Sequence, residues 1–230
     1  MMRAMQTSEL FPRSPLTVAP GAVHVPDWLD LKSQVALVER CREWARDPAG
    51  LRTPRMPDGT PMSIRSVCLG WHWYPYAYSR TCDDHDGAPV KPLPEDLAEL
   101  AVRAVADAGF DPSGLRFDAS IVNIYTSASK LGLHRDIGEG DGAVAAGSPV
   151  VTISLGDACV FRFGNNETRT QPWTDVELRS GDLFVFGRPA RLAFHGVLRT
   201  LPHTAPPELR LDDVRISITL RESGIDEFGA

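Results

Sequence analysis

The segment Arg215-Ile-Ser-Ile-Thr-Leu-Arg221 alternates without a break. Successive side chains of a strand point to opposite faces, so Ile216, Ile218 and Leu220 share one face and Arg215, Ser217, Thr219 and Arg221 share the other. Such a strand either lines a polar interior or sits at an exposed sheet edge wearing charges. In the first case the arginine Cα atoms lie about 20 Å apart, and both side chains can converge on opposite ends of one small dicarboxylate. The planar guanidinium fork suits that task because it pairs bidentately with carboxylate.

The surrounding sequence supplies other strands. From Phe117 onward, residues 120–125, 150–155, 159–163 and 182–186 are short segments that alternate or run apolar, separated by Gly, Asp, Asn and Pro turns. Short strands at this spacing predict a β-sandwich or jelly roll rather than a parallel sheet. Upstream, Leu31 to Trp44 reads as an amphipathic helix with Asp30 as N-cap, Leu31, Val35 and Val38 inward, and Asp47-Pro48 as its end. A second helix is expected from Glu95 to Ala108, with Leu97, Leu100, Ala101 and Ala104 inward and Gly109 as the stop. Helices first and strands later give an α+β, mainly β class, with helices packed on one side of an antiparallel sheet. Residues 1–20 read as irregular, and Leu69-Gly-Trp-His-Trp-Tyr-Pro-Tyr-Ala-Tyr78 is aromatic, proline-rich and without a clean period.

Composition narrows the function classes. With 230 residues, 43% hydrophobic and 23% charged, one domain is expected. No apolar run reaches the length of a membrane span, and the N-terminal residues lack the apolar stretch of a signal peptide, so the reading is cytoplasmic with no membrane partner. Cys41, Cys68, Cys82 and Cys159 form no C-x-x-C pair and read as reduced thiols. The net charge of −6 argues against tight nonspecific duplex binding, so any nucleic-acid contact must come from local basic and aromatic residues.

The candidate chemistry lies in Leu131-Gly-Leu-His134-Arg-Asp136 and the distant Phe194-His195. Period two makes His134 and Asp136 project together from a strand while Arg135 turns away. In an antiparallel barrel the strand or turn carrying His195 can lie beside them. Two histidines and one carboxylate hold non-haem Fe(II) on one face and leave positions open for oxygen chemistry. A single H-x-D also occurs by chance in many chains, and His195 alone also reads as a packed histidine. Asn123 and Tyr125 share one strand face and offer neutral donors to a carboxylate held by arginine, or else a packed tyrosine beside a strand-end asparagine.

Taken together, Asn123-Ile-Tyr125, Lys130 to Asp136, Val151 to Gly156, Phe161-Arg-Phe-Gly164, Ser180-Gly-Asp182, His195-Gly196 and the Arg215/Arg221 pair resemble the AlkB-type Fe(II)/2-oxoglutarate-dependent dioxygenases. These motifs occur in family order over about residues 60 to 223, and Gly21-Ala-Val extends the resemblance toward the N-terminus. The resemblance implies a double-stranded β-helix (jelly roll) over 117–223, supporting N-terminal helices and a nucleotide-recognition lid over 50–92. It implies Fe(II) at His134, Asp136 and His195. It also implies 2-oxoglutarate with its keto-acid end near Arg221 and its far carboxylate on Arg215, Asn123 and Tyr125, with Ser217 on the same face. The implied reaction is oxidative dealkylation of 1-methyladenine- or 3-methylcytosine-type bases in DNA or RNA, releasing succinate, carbon dioxide and formaldehyde. The partner is then alkylated single-stranded nucleic acid, or duplex DNA by base flipping, with no obligate protein partner.

In the lid, Trp71, Tyr76 and Tyr78 are expected to stack on an extruded base, or else to pack as a proline-aromatic loop over the sheet. Arg169 resembles a residue that contacts nucleic acid, and Glu139 one that reads the base. The chain departs from the best-known bacterial members at Gly138, where they carry a second acidic residue, and in a shorter lid; both changes touch base choice. Gly138-Glu-Gly140-Asp-Gly142 follows a metal motif and reads as a flexible loop, not a dinucleotide fingerprint. A 2-oxoglutarate oxygenase of a protein, lipid or small molecule would share the iron site, and a non-catalytic cupin-like binding module is the reading from another class.

Overall fold

The computed structural model describes residues 13–74, 77–137 and 139–225. Strands β1 (Leu16–Ala19) and β2 (Ala22–Val25) are followed by helix α1 (Leu31–Trp44), β3 (Arg65–Leu69), the hairpin β4 (His72–Tyr74) and β5 (Ala77–Ser79), and helix α2 (Glu95–Asp107). Then come β6 (Ala119–Tyr125), β7 (Leu131–His134), the short helix α3 (Asp141–Ala145), β8 (Val150–Gly156), β9 (Ala158–Phe163), β10 (Thr174–Leu178), β11 (Leu183–Phe186), β12 (His195–Leu201) and β13 (Arg215–Arg221). Among the described residues no helix is long and apolar enough to cross a membrane.

The strands form a seven-stranded sheet, β1-β2-β11-β8-β13-β6-β3, and a four-stranded sheet, β10-β9-β12-β7, all antiparallel. This is the mainly β, jelly-roll architecture expected from the strand spacing. Period two divides the core. Val151, Ile153, Leu155, Leu183, Val185, Ile216, Ile218 and Leu220 face the helices. Tyr125, Val150, Phe161, Phe163, Phe184, Phe186 and Val197 form a second core on the opposite face of the large sheet.

Both helices cover the large sheet. In α1, Asp30 accepts from the Ser33 amide at 2.7 Å, as an N-cap does. Its buried stripe is Gln34, Leu37, Val38, Cys41 and Trp44, whereas Leu31 is 39% exposed and Val35 half-buried. The expected face was displaced because Gln34, polar by type, is satisfied inside. Its amide donates to the Leu29 carbonyl at 2.7 Å, and its Oε1 accepts from Ser180 at 2.7 Å. Helix α2 buries Leu97, Ala101, Ala104 and Val105, leaves Leu100 half-buried, and stops before Gly109 at φ +82°.

Three expectations are corrected. Residues 16–19, expected as irregular, are a strand at the edge of the large sheet, because β1 pairs with β2, which finds an edge on β11. Strand β7 ends at His134, so Asp136 stands in a loop instead of sharing a strand face with it. The glycine-rich segment expected as a loop runs into α3, with Gly140 as its N-cap.

Candidate active site

The two histidines meet through sheet register. Strands β7 and β12 pair antiparallel with His195 opposite His134. Gly196 permits the close approach, since a Cβ there would stand 2.5 Å from the Leu131 carbonyl oxygen. Each imidazole has its Nδ1 2.9 Å from a carbonyl two residues upstream, Gly132 for His134 and Ala193 for His195. A carbonyl only accepts, so both Nδ1 atoms carry a proton, which leaves Nε2 as the nitrogen each ring can offer to a metal. Burial, reinforced by His134, pushes the His195 imidazole down to about 4, which keeps it neutral.

Asp136 Oδ1 lies 3.7 Å from His134 Nε2 and 3.8 Å from His195 Nε2. These gaps are too long for hydrogen bonds, and the three donor atoms lie within 4.8 Å of one another. Burial pushes the Asp136 carboxyl up, but Arg221, His195 and His134 outweigh it and hold the group well below the usual carboxylate range. Its Oδ2 is buried without an aligned hydrogen bond, although Arg221 stands 3.1 Å away. Two imidazoles and an ionised carboxylate with spare valence fit a divalent cation of borderline softness.

From the end that holds the triad, a single cavity runs along the polar face of β13. It is lined by Asn123, Tyr125, Thr152, Arg215, Ser217, Thr219 and Arg221 together with the triad. Phe161 and Phe186 also line it, their ring centroids 5.9 and 4.8 Å from that of His195. Arg215 is 1% exposed; it donates to Ser154 Oγ at 3.1 Å and reaches the Asp157 carbonyl at 3.5 Å, while its Nε has no partner. Among the described residues no carboxylate pairs with it. A buried guanidinium without an anion is costly unless a ligand brings one, and a dicarboxylate does so. Tyr125 is buried beside it, and Asn123 Oδ1 accepts from Ser66 at 2.6 Å, which turns the amide nitrogen away from that bond.

Arg221 has the opposite surroundings. It lies 2.7 Å from Glu139 Oε1 and 3.1 Å from Asp136 Oδ2. Glu139 is itself buried, and its Oε1 also accepts from the Tyr78 hydroxyl at 2.9 Å. Arg191 completes this cluster, and nothing in the sequence singled it out. Its one available signal was its place four residues before His195, in a Gly-Arg-Pro-Ala-Arg stretch that reads as a surface turn.

The lid residues separate. Tyr78 reaches the cavity through Glu139 and Arg221. Tyr76 and Gly138 lie outside the described residues. Trp71 is 2% exposed, donates to Asp118 at 3.1 Å and is covered by the Arg80 guanidinium 3.6 Å from its ring centroid. It is thus not brought to the cavity, and the expectation of a stacking platform there is corrected: its indole is consumed by packing. Arg169 is exposed, and both it and Arg135 stand over the Phe194 ring, at 5.6 and 4.7 Å. The residue before His195 therefore carries a basic rim.

Comparison with known proteins agrees with this geometry. The 2OG-Fe(II) oxygenase superfamily matches over residues 21–221. The chain is 37% identical to an alpha-ketoglutarate-dependent dioxygenase AlkB homolog of Caulobacter vibrioides, covering 91% of this chain and 90% of that one. It is 33% identical to the DNA N(6)-methyladenine demethylase ALKBH1D of Arabidopsis thaliana, covering 89% of this chain and 50% of that protein. The chain spans about half the length of the Arabidopsis relatives it matches. The solved structure of OsALKBH1 superposes with a TM-score of 0.82 at 33% identity, covering 90% of this chain and 99% of that one.

Proposed function

The chain belongs to the 2OG-Fe(II) oxygenase superfamily, and from that premise we propose that it oxidatively removes N-alkyl groups from bases of single-stranded DNA or RNA. Fe(II) and 2-oxoglutarate are the cofactors of this family, and the donor set described above fits both. The observation that carries the reading is one cavity with the His134, Asp136 and His195 donors at one end and the unpaired Arg215 at the other. Bound together, Fe(II), 2-oxoglutarate and dioxygen supply an oxidant strong enough to hydroxylate a carbon attached to nitrogen.

The protein's own groups do the rest. His134 and His195, locked in one tautomer by the carbonyls of Gly132 and Ala193, hold the metal through Nε2, and Asp136 through its carboxylate. Arg215, helped by Tyr125 and Ser217, holds the distal carboxylate of 2-oxoglutarate; Arg221 and Asn123 lie along its path. Phe161 and Phe186 keep the His195 side dry, while His134, whose side chain is 36% exposed, faces the open side where a base enters. Arg135 and Arg169 beside Phe194 put positive charge at that opening in a chain of net charge −6, which suits a phosphodiester strand. Residues 50–92 act as the lid over that opening in this reading, with Tyr78 as their inward contact.

The name of the Arabidopsis relative favours a second substrate, N6-methyladenine in DNA, for the same machinery. One experiment separates the readings. Single-stranded oligonucleotides carrying 1-methyladenine, 3-methylcytosine or N6-methyladenine are incubated with the protein, Fe(II), 2-oxoglutarate and ascorbate, and mass and succinate are read together. A product one methylene lighter, matched by succinate, is expected, and which oligonucleotide changes selects the lesion. Succinate with no oligonucleotide altered overturns the nucleic-acid reading and moves the substrate to a protein, lipid or small molecule.

A further inference from the structure

Arg191 is 3% exposed and belongs to neither sheet. Its Nη1 donates to the backbone carbonyl of Asp136 at 2.9 Å, and its Nη2 pairs with Glu139 Oε2 at 3.2 Å. The other Glu139 oxygen accepts from Tyr78 on β5 and from Arg221 on β13. Both ends of the loop from Asp136 to Glu139 are therefore gripped by one guanidinium. That guanidinium comes from the segment just before β12, whose first residue is His195.

The grip answers a need of the fold. Strand β7 stops at His134, so no ladder hydrogen bond holds Asp136 in place. Its neighbour Ile137 is 46% exposed and packs too little to fix the loop. A carboxylate that must stay aimed between two imidazoles needs another restraint, and a planar guanidinium bridging a carbonyl and a carboxylate supplies one with defined direction.

We propose that Arg191 is a positioning residue for the metal: it holds the Asp136 carbonyl and, through Glu139, couples the metal loop to Tyr78. This rests on the reading of His134, Asp136 and His195 as ligands. It also reassigns Glu139. With one oxygen bonded to Arg221 and Tyr78 and the other in an ion pair with Arg191 that makes no aligned hydrogen bond, that buried carboxylate serves the loop rather than a base. Arg191 and His195 act as one unit, ligand and brace, delivered by one stretch of chain.

The test is Co(II) titration of the full chain, following the visible absorption of the bound ion, with thermal unfolding of each variant alongside. Wild type is expected to bind Co(II) at the triad; failure there overturns the iron reading itself, not the brace alone. Arg191→Met is expected to weaken Co(II) binding about 10- to 100-fold and to change the shape of the absorption band, as loss of an outer support does. Arg191→Lys, which keeps the charge but cannot bridge both oxygens, should fall between the two, and Tyr78→Phe should shift affinity least. A folded Arg191→Met protein with wild-type affinity and band overturns the proposal. If that variant does not fold, the near-isosteric Glu139→Gln decides. A weakened Co(II) affinity in it supports the brace, and an unchanged affinity and band overturn it.

Discussion

The two arginines that bracket β13 are the same residue type on the same strand face, yet they carry opposite electrostatic burdens. Arg221 is neutralised inside the protein by Asp136 and Glu139, at 3.1 and 2.7 Å. Arg215 is more deeply buried and, among the described residues, hydrogen-bonds only a hydroxyl and a distant carbonyl. The first arrangement is a completed ion cluster that builds the site. The second is an unfinished one, which a ligand carboxylate completes in the proposed function. A buried charge thus marks a binding subsite only after its partners are inspected; sequence, which shows two arginines, does not distinguish them.

Removing one charge at each end should produce opposite stability effects. Arg221→Met strands the buried Asp136 carboxylate and leaves Glu139 with Arg191 as its remaining cation, and it is expected to cost roughly 3–5 kcal/mol in urea unfolding, the largest of these effects. Arg215→Met removes an uncompensated charge, so the protein without ligand should be unchanged or more stable by about 1–4 kcal/mol. The same substitution should weaken 2-oxoglutarate binding by about 2–5 kcal/mol, measured by calorimetry with Mn(II) present, because the ligand carboxylate loses its partner in a dry site. A destabilised Arg215→Met protein with intact 2-oxoglutarate affinity would erase the contrast.

The contrast also has a pH signature. Burial pushes the Glu139 carboxyl up, but Arg221 and Arg191 hold it below its ordinary 4.5. A carboxyl depressed in the fold contributes stability above its unfolded pKa and loses it as pH falls through the folded value. Unfolding free energy should therefore drop below about pH 4.5 in wild type and drop less steeply in Glu139→Gln. Smallest of all, Ser154→Ala removes the hydroxyl that accepts from Arg215 and should change stability by about 0.5–1.5 kcal/mol, read from the unfolding midpoint. A larger loss would mean that Ser154, and not a ligand, is the main partner of that guanidinium.

Trp71 extends the lesson to the lid. The aromatic run from Trp71 to Tyr78 has no period, so composition alone suggested stacking surfaces. The fold instead spends the indole on Asp118 and Arg80 and turns Tyr78 toward Glu139. Arg191 is the converse case. Nothing in its local sequence marks it, and burial against a loop distant in sequence makes it part of the site.

What the amino-acid sequence determined by itself is everything that depends on period and local chemistry. That includes the limits of α1 and α2, the polar face of β13 and the strand spacing of a jelly roll. These follow from nearest neighbours along the chain, where side-chain direction is set by backbone geometry. Tertiary structure decided the register that sets His195 opposite His134, the placement of Asp136 beyond the end of its strand, and which arginine is paired. Those outcomes depend on distances between segments far apart in sequence and on the loss of water around each charge, and neither quantity exists until the chain has folded.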